Sequence, residues 1–160
     1  MNVFRRRWGR WTMAVLVALA IVGAVAGRAL ATEFRSGDTV VIAAGEVIDD
    51  DLFISGRVIR VEGTVNGDLW VAGSRIDVTG TVNGSLFVAG RDLSMAGRVA
   101  GSMYSAGSDI QINPQANIGR NLYFAGFNLR VAPGANIGRD ILAGGNQAVL
   151  NGQVTRNLNF

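Results

Sequence analysis

Residues 63 to 97 read GTVNGDLWVAGSRIDVTG and then, restarting from the last glycine, GTVNGSLFVAGRDLSMAG, so one 17-residue unit is written twice in succession. Thr64-Val65-Asn66-Gly67 returns as Thr81-Val82-Asn83-Gly84. Self-similarity at a short fixed period marks a unit that cannot bury its own apolar face and has to stack on a copy of itself. This duplication narrows the fold more than any other feature of the chain.

Cutting the chain before Glu46, Thr64, Thr81, Arg98, Asn117, Asn136 and Gln153 gives rungs of 18, 17, 17, 19, 19 and 17 residues, with a shortened last one. Apolar columns then align. One is Val65, Val82, Val99, Ile118, Ile137, Val154, and a second is Leu52, Leu69, Leu86, Met103, Leu122, Ile141, Leu158. Two more run through Ile59, Ile76, Leu93, Ile110, Leu129, Ala148 and through Val61, Val78, Met95, Ile112, Val131, Leu150. Within a rung these positions alternate with polar ones, as in Ile76-Asp77-Val78, which is the period of a half-buried strand.

Glycines 56, 73, 90, 107, 126 and 145 also form a column, and Asn66-Gly67 and Asn83-Gly84 mark a second set of corners. Glycine at a corner supplies a positive φ or a close backbone approach. The two 19-residue rungs carry their extra residues at a third corner, at Asn113-Pro114 and Ala132-Pro133, where a proline removes no ladder hydrogen bond. Upstream, Val40 and Ile42 share one face and Ala43-Ala44-Gly45 resembles a corner, giving a partial first turn. The pattern predicts an all-β fold: a single-stranded parallel β-helix of six to seven rungs, three short strands per turn, following an N-terminal apolar leader helix. At ~4.8 Å per rung such a rod is roughly 30 Å long.

Two segments are expected: residues 1–31 as leader and 32–160 as the β-helix repeat domain. Arg5-Arg6-Arg7 and Arg10 precede an uncharged apolar run from Trp11 to Gly27, followed by Ala29-Leu30-Ala31. This is the layout of a secretory signal peptide ending at Ala31, and the length of the run also fits a retained membrane anchor over 11–27. Arginines ahead of the run place the remainder on the extracytoplasmic side of the membrane or on the cell surface, whichever holds.

The leader carries five of the 15 arginines and none of the 12 acidic residues. Beyond it ten arginines face twelve acids, a net charge of −2, so the basic overall balance is no argument for nucleic acid. Cys, His and Lys are all absent, which excludes disulfides, thiolate nucleophiles, imidazole bases, Schiff-base lysines and Cys/His zinc sites. No catalytic residue, metal ligand or cofactor site is expected.

Four features carry the candidate functions. Phe53, Trp70, Phe87, Tyr104 and Tyr123, followed by Leu142, occupy the position after the leucine column and so point outward. They form either a stabilising ladder or a lateral interface. Arg120, Arg139 and Arg156 fall at one corner of successive rungs, a solvated face or a contact for anionic sugars and lipid headgroups. Asp49-Asp50-Asp51 lacks the spacing and turn glycine of a calcium loop and reads as a solvated corner. Finally, the segment Gln153–Phe160 keeps the repeat pattern, with Val154, Leu158 and Phe160 pointing inward. Either further protein covers that edge, or it and the Val40–Ile42 edge are docking faces for the next molecule. Such a head-to-tail contact does not close and propagates as a filament.

These columns resemble those of the bactofilins, bacterial proteins that polymerise from a short right-handed β-helix. The resemblance covers roughly residues 40–160 and rests on Val65-Asn66-Gly67-Asp68-Leu69, Val82-Asn83-Gly84-Ser85-Leu86 and the recurring Ala-Gly at 72-73, 89-90, 106-107 and 125-126. It implies a non-enzymatic, nucleotide-independent scaffold that assembles with itself end to end at the membrane. The export leader departs from the cytoplasmic members and points to an exported variant. Left-handed acyltransferase helices keep strict hexapeptides and are served by a histidine, and pectate-lyase-like enzymes build loop-walled clefts; neither pattern is present. A monomeric surface adhesin that binds cell-wall polysaccharide is the competing expectation.

Overall fold

A computed structural model describes residues 32–159; the leader expected over 1–31 and the terminal Phe160 lie outside the described residues. Among the described residues fifteen strands follow one another without a helix. Eight lie in one sheet: β1 (Glu33–Ile42), β3 (Leu52–Val61), β5 (Leu69–Val78), β7 (Leu86–Met95), β9 (Met103–Ile112), β11 (Leu122–Val131), β13 (Ile141–Leu150) and the short β15 (Leu158–Asn159). Seven two-residue strands form the other: β2 (Val47–Ile48), β4 (Thr64–Val65), β6 (Thr81–Val82), β8 (Arg98–Val99), β10 (Asn117–Ile118), β12 (Asn136–Ile137) and β14 (Gln153–Val154). Each strand pairs in parallel with its counterpart one turn away, so the chain is a parallel β-solenoid of about seven turns.

Two expectations about the rung need correction. Where three strands per turn were expected, there is one ten-residue strand and one of two residues. The chain does bend at the glycine column, but the ladder survives the bend: Ala72 and Gly73 pair with Ala89 and Gly90, Arg75 with Asp92, and only Ser74 drops out of register. Inward residues step by two to Val71 and then by five to Ile76, so the unpaired residue restores the inward phase beyond the corner. The first boundary is also off by one residue, because Thr64 pairs with Val47 and not with Glu46.

The glycine column exists for close approach and not for φ. Among the described residues positive φ is confined to Gly45 (86°) and Gly134 (97°). A Cβ on Gly73 would stand 2.6 Å from the carbonyl oxygen of Gly56, and one on Gly90 2.5 Å from that of Gly73. Successive rungs therefore touch backbone to backbone at this corner. The extra residues of the long rungs form β-turns closed by Ala116 N–H to Asn113 C=O (3.0 Å) and Ala135 N–H to Ala132 C=O (3.2 Å). The segment Ala43–Glu46 closes the same way, and in two of these three turns a positive-φ glycine stands third.

The four expected apolar columns fill the interior, and most of their members are fully buried. A fifth column, Ile54, Val71, Val88, Phe124 and Ala143, completes it, with Ser105 in line donating its hydroxyl to the Tyr123 carbonyl at 3.1 Å. Side-chain size is nearly constant along the first four columns up to the last turn and varies along the fifth, where Phe124 follows Ser105; burial is complete only in a stack.

Candidate functional site

The outward aromatic column is a continuous stack. It begins one rung earlier than expected, at Phe34, and its ring centroids are separated by 5.0, 5.5, 3.8, 4.7 and 4.7 Å through Phe53, Trp70, Phe87, Tyr104 and Tyr123. From Phe53 onward the rings are within 8° of parallel to their neighbours. Phe34 is missed by the pattern because β1 was expected to be only part of a turn; its 19-residue offset from Phe53 is the signal that finds it. Trp70 and Tyr104 are about two-fifths exposed, and Phe53, Phe87 and Tyr123 are half-buried.

Stacking uses up both ring faces from Phe53 to Tyr104, and one face each of Phe34 and Tyr123. What solvent meets is a ridge of ring edges running along the rod. Beside it, two residues on along each strand, lies a shelf of small exposed residues: Ser36, Ser55, Ala72, Ala89, Ala106 and Ala125. Ridge and shelf line one open groove in which Arg35, at the end, is the single charged residue. Sequence inspection finds the Ala-Gly recurrences without recognising them as the floor of a groove, because each alanine alone is an ordinary strand residue.

The corner after β2, β4 and their successors holds a second ladder that the pattern does not reveal. The side-chain oxygens of Asp51, Asp68, Ser85, Ser102, Asn121 and Asp140 each accept the backbone N–H of the equivalent residue one rung on, ending at Asn157. The shortest links, Asp68 N–H to Asp51 and Ser85 N–H to Asp68, are 2.7 Å. Beside it, Asn83 donates to Asn66 (2.7 Å) and Asn66 to Asp49 (2.8 Å). The acidic run is thus the first level of two longitudinal ladders. Among the described residues no three acidic side chains converge as a cation cage would require.

Arg120, Arg139 and Arg156 are exposed and do stand on one corner, joined by backbone bonds from Arg139 N–H to Arg120 C=O (3.1 Å) and from Arg156 N–H to Arg139 C=O (3.2 Å). Arg60 and Asp77, like Arg75 and Asp92, are ladder neighbours as their columns imply. The ion pairs within reach among the described residues lie elsewhere, all of them in the first two turns.

The ends differ. Val40 and Ile42, expected as an open docking edge, are buried. In the first turn two of the inward columns begin with charge, since Glu33 pairs with Leu52 and Arg35 with Ile54, while Val40 and Ile42 head two others. Arg35 binds Glu33 at 2.7 Å and Glu46 at 2.6 Å, and Glu46 also accepts the Ala43 N–H at 3.1 Å. The Arg35 guanidinium, aided by that N–H, holds the Glu46 carboxyl below the usual glutamate range, and the two carboxylates raise Arg35 above its ordinary value. Arg57 pairs with Asp38 in the same region. At the other end Ala148, Leu150 and Val154 are only partly buried and Leu158 is 51% exposed; Phe160 lies outside the described residues.

No family model, curated protein or solved structure matches this chain.

Proposed function

We propose that this chain is a non-enzymatic structural scaffold of the cell envelope, an exported relative of the bactofilins, whose right-handed β-helix self-assembles end to end into polymers. The carrying observation is the C-terminal turn. There β13, β14 and β15 keep the register of the interior rungs while Leu150, Val154 and Leu158 remain partly open. An edge with strand geometry and apolar columns is a template for a further rung. A second copy supplies one in the same register as the chain's own turns. At the opposite end the edge of β1 offers its backbone, with Val40 and Ile42 heading two of the apolar columns and the Arg35 cluster heading two others.

The retained or cleaved leader, with its apolar run at 11–27, delivers the rod to the extracytoplasmic face of the membrane or to the cell surface. The absence of Cys, His and Lys supports the non-enzymatic reading, and no cofactor or nucleic acid partner is implied. The alternative, a monomeric adhesin binding cell-wall polysaccharide, draws on the aromatic column and on Arg120, Arg139 and Arg156. Sugars pack on aromatic faces, and from Phe53 to Tyr104 both faces are occupied by neighbouring rings, which favours the scaffold.

Electron microscopy of purified residues 32–160 tests the proposal. Filaments that persist at high salt are expected. A monodisperse monomer at micromolar concentration overturns it, and such a monomer retained on cell-wall polysaccharide establishes the adhesin instead.

A further inference from the structure

The groove beside the aromatic ridge has a chemistry and a repeat that select its occupant. An anionic ligand finds one cation, Arg35, at the extreme end of seven rungs. A sugar finds ring edges. What fits is a surface that is itself apolar, carries a ridge and a shelf about 7 Å apart, and repeats every ~4.8 Å. The groove has those properties, so it is complementary to its own copy.

We propose that two copies of this chain pair side by side through this groove, with the rods parallel. The ring edges of Trp70, Phe87, Tyr104 and Tyr123 on each copy rest on the Ala72, Ala89, Ala106 and Ala125 shelf of the other. The polarity follows from symmetry. Facing ridge with shelf in both directions at once requires a two-fold axis along the rod, because a perpendicular two-fold axis sets ridge on ridge and shelf on shelf. A parallel pair also places both N-terminal ends on the same side, which is compatible with two leaders entering one membrane.

Area sets the strength. From Phe34 to Leu142 the groove is ~29 Å long and ~10 Å wide, about 300 Å² per copy and about 600 Å² per pair. That is roughly half of what a stable interface buries. A single pair is therefore transient, and end-stacked copies reach a lasting area by avidity. For this gain in strength the inference rests on the end-to-end scaffold; the pairing itself does not.

Because the chain has no cysteine, single-cysteine variants of the full-length protein report the geometry. Ser36→Cys and Gly144→Cys mark the two ends of the groove and Ala89→Cys its middle. With a short bismaleimide, each variant alone is expected to give a cross-linked dimer, and adding Ala106→Arg to Ala89→Cys is expected to reduce that dimer at least tenfold. Loss of the Ala89→Cys dimer with filaments still present overturns the pairing and spares the end-to-end reading. An Ala89→Cys dimer accompanied only by mixed Ser36→Cys with Gly144→Cys products means antiparallel rods and overturns the proposed polarity. Mixed products without an Ala89→Cys dimer are the signature of end contacts alone and also overturn it. Circular dichroism checks that each variant keeps its β-sheet, and Ala72→Cys replaces Ala89→Cys if that variant does not.

Discussion

Gly90 shows how little room a single position has. Its backbone lies against Gly73 so closely that a methyl group would collide with a carbonyl oxygen, and neither atom can swing away as a flexible side chain would. Gly90→Ala is expected to destabilise the rod by about 1–3 kcal/mol, read as a lower urea midpoint, with the change absorbed by separating two rungs. Glu46 makes a different residue-scale prediction. Its carboxyl is held below the ordinary 4.5 by Arg35, so its contribution is present above that value and is lost as pH falls through the depressed folded value. Hydrogen-exchange protection factors in β1 and the Ala43–Glu46 turn should therefore fall at pH below about 4.5 before those of the central rungs, and Glu46→Gln should flatten that dependence.

Elements are held by ladders as much as by the core. Asp68 accepts the Ser85 N–H and gives its own N–H to Asp51, linking three rungs. Asp68→Ala leaves a half-buried N–H without its acceptor and is expected to cost about 1–3 kcal/mol in denaturant unfolding; Asp68→Asn, which keeps an oxygen there, should recover most of it. The aromatic stack behaves similarly. Phe87 is stacked on both faces, at 3.8 and 4.7 Å, whereas Phe34 is stacked on one and is three-quarters exposed. With each pair contributing about 0.5–1.5 kcal/mol, Phe87→Ala should lower thermal stability clearly more than Phe34→Ala, as calorimetry of the two variants will show. The aromatic column was legible because its spacing repeats the leucine column, while the Asp/Ser/Asn column was not. Three residue types share that one hydrogen-bonding role, and no hydropathy pattern distinguishes a side chain that bonds along the rod from one that meets water.

For the whole molecule, stability is a sum over rungs and their interfaces, with the ends least supported. Native-state hydrogen exchange should be slowest in β5, β7 and β9, which have complete turns on both sides, and fastest in β1 and from β13 to β15. Uniform protection along the chain would mean that another surface covers the ends. The charged first turn and the partly open last turn also make the rod chemically polar.

The sequence by itself determined the solenoid: a duplicated 17-mer, inward columns at constant offsets and insertions confined to one corner leave no other way to bury the apolar residues. It also placed the aromatic column outside and the prolines in turns. Only the tertiary structure decided that the glycine corner bends one continuous strand instead of separating two, because that depends on whether hydrogen bonds to the neighbouring rung survive the bend. It likewise decided that the rings face one another and show their edges, that a shelf of small residues runs beside them, and that Arg35 joins Glu33 and Glu46 at one end. Each of these is a relation between residues on different rungs or faces. A one-dimensional pattern records which residues recur, and the stack determines which of their atoms meet.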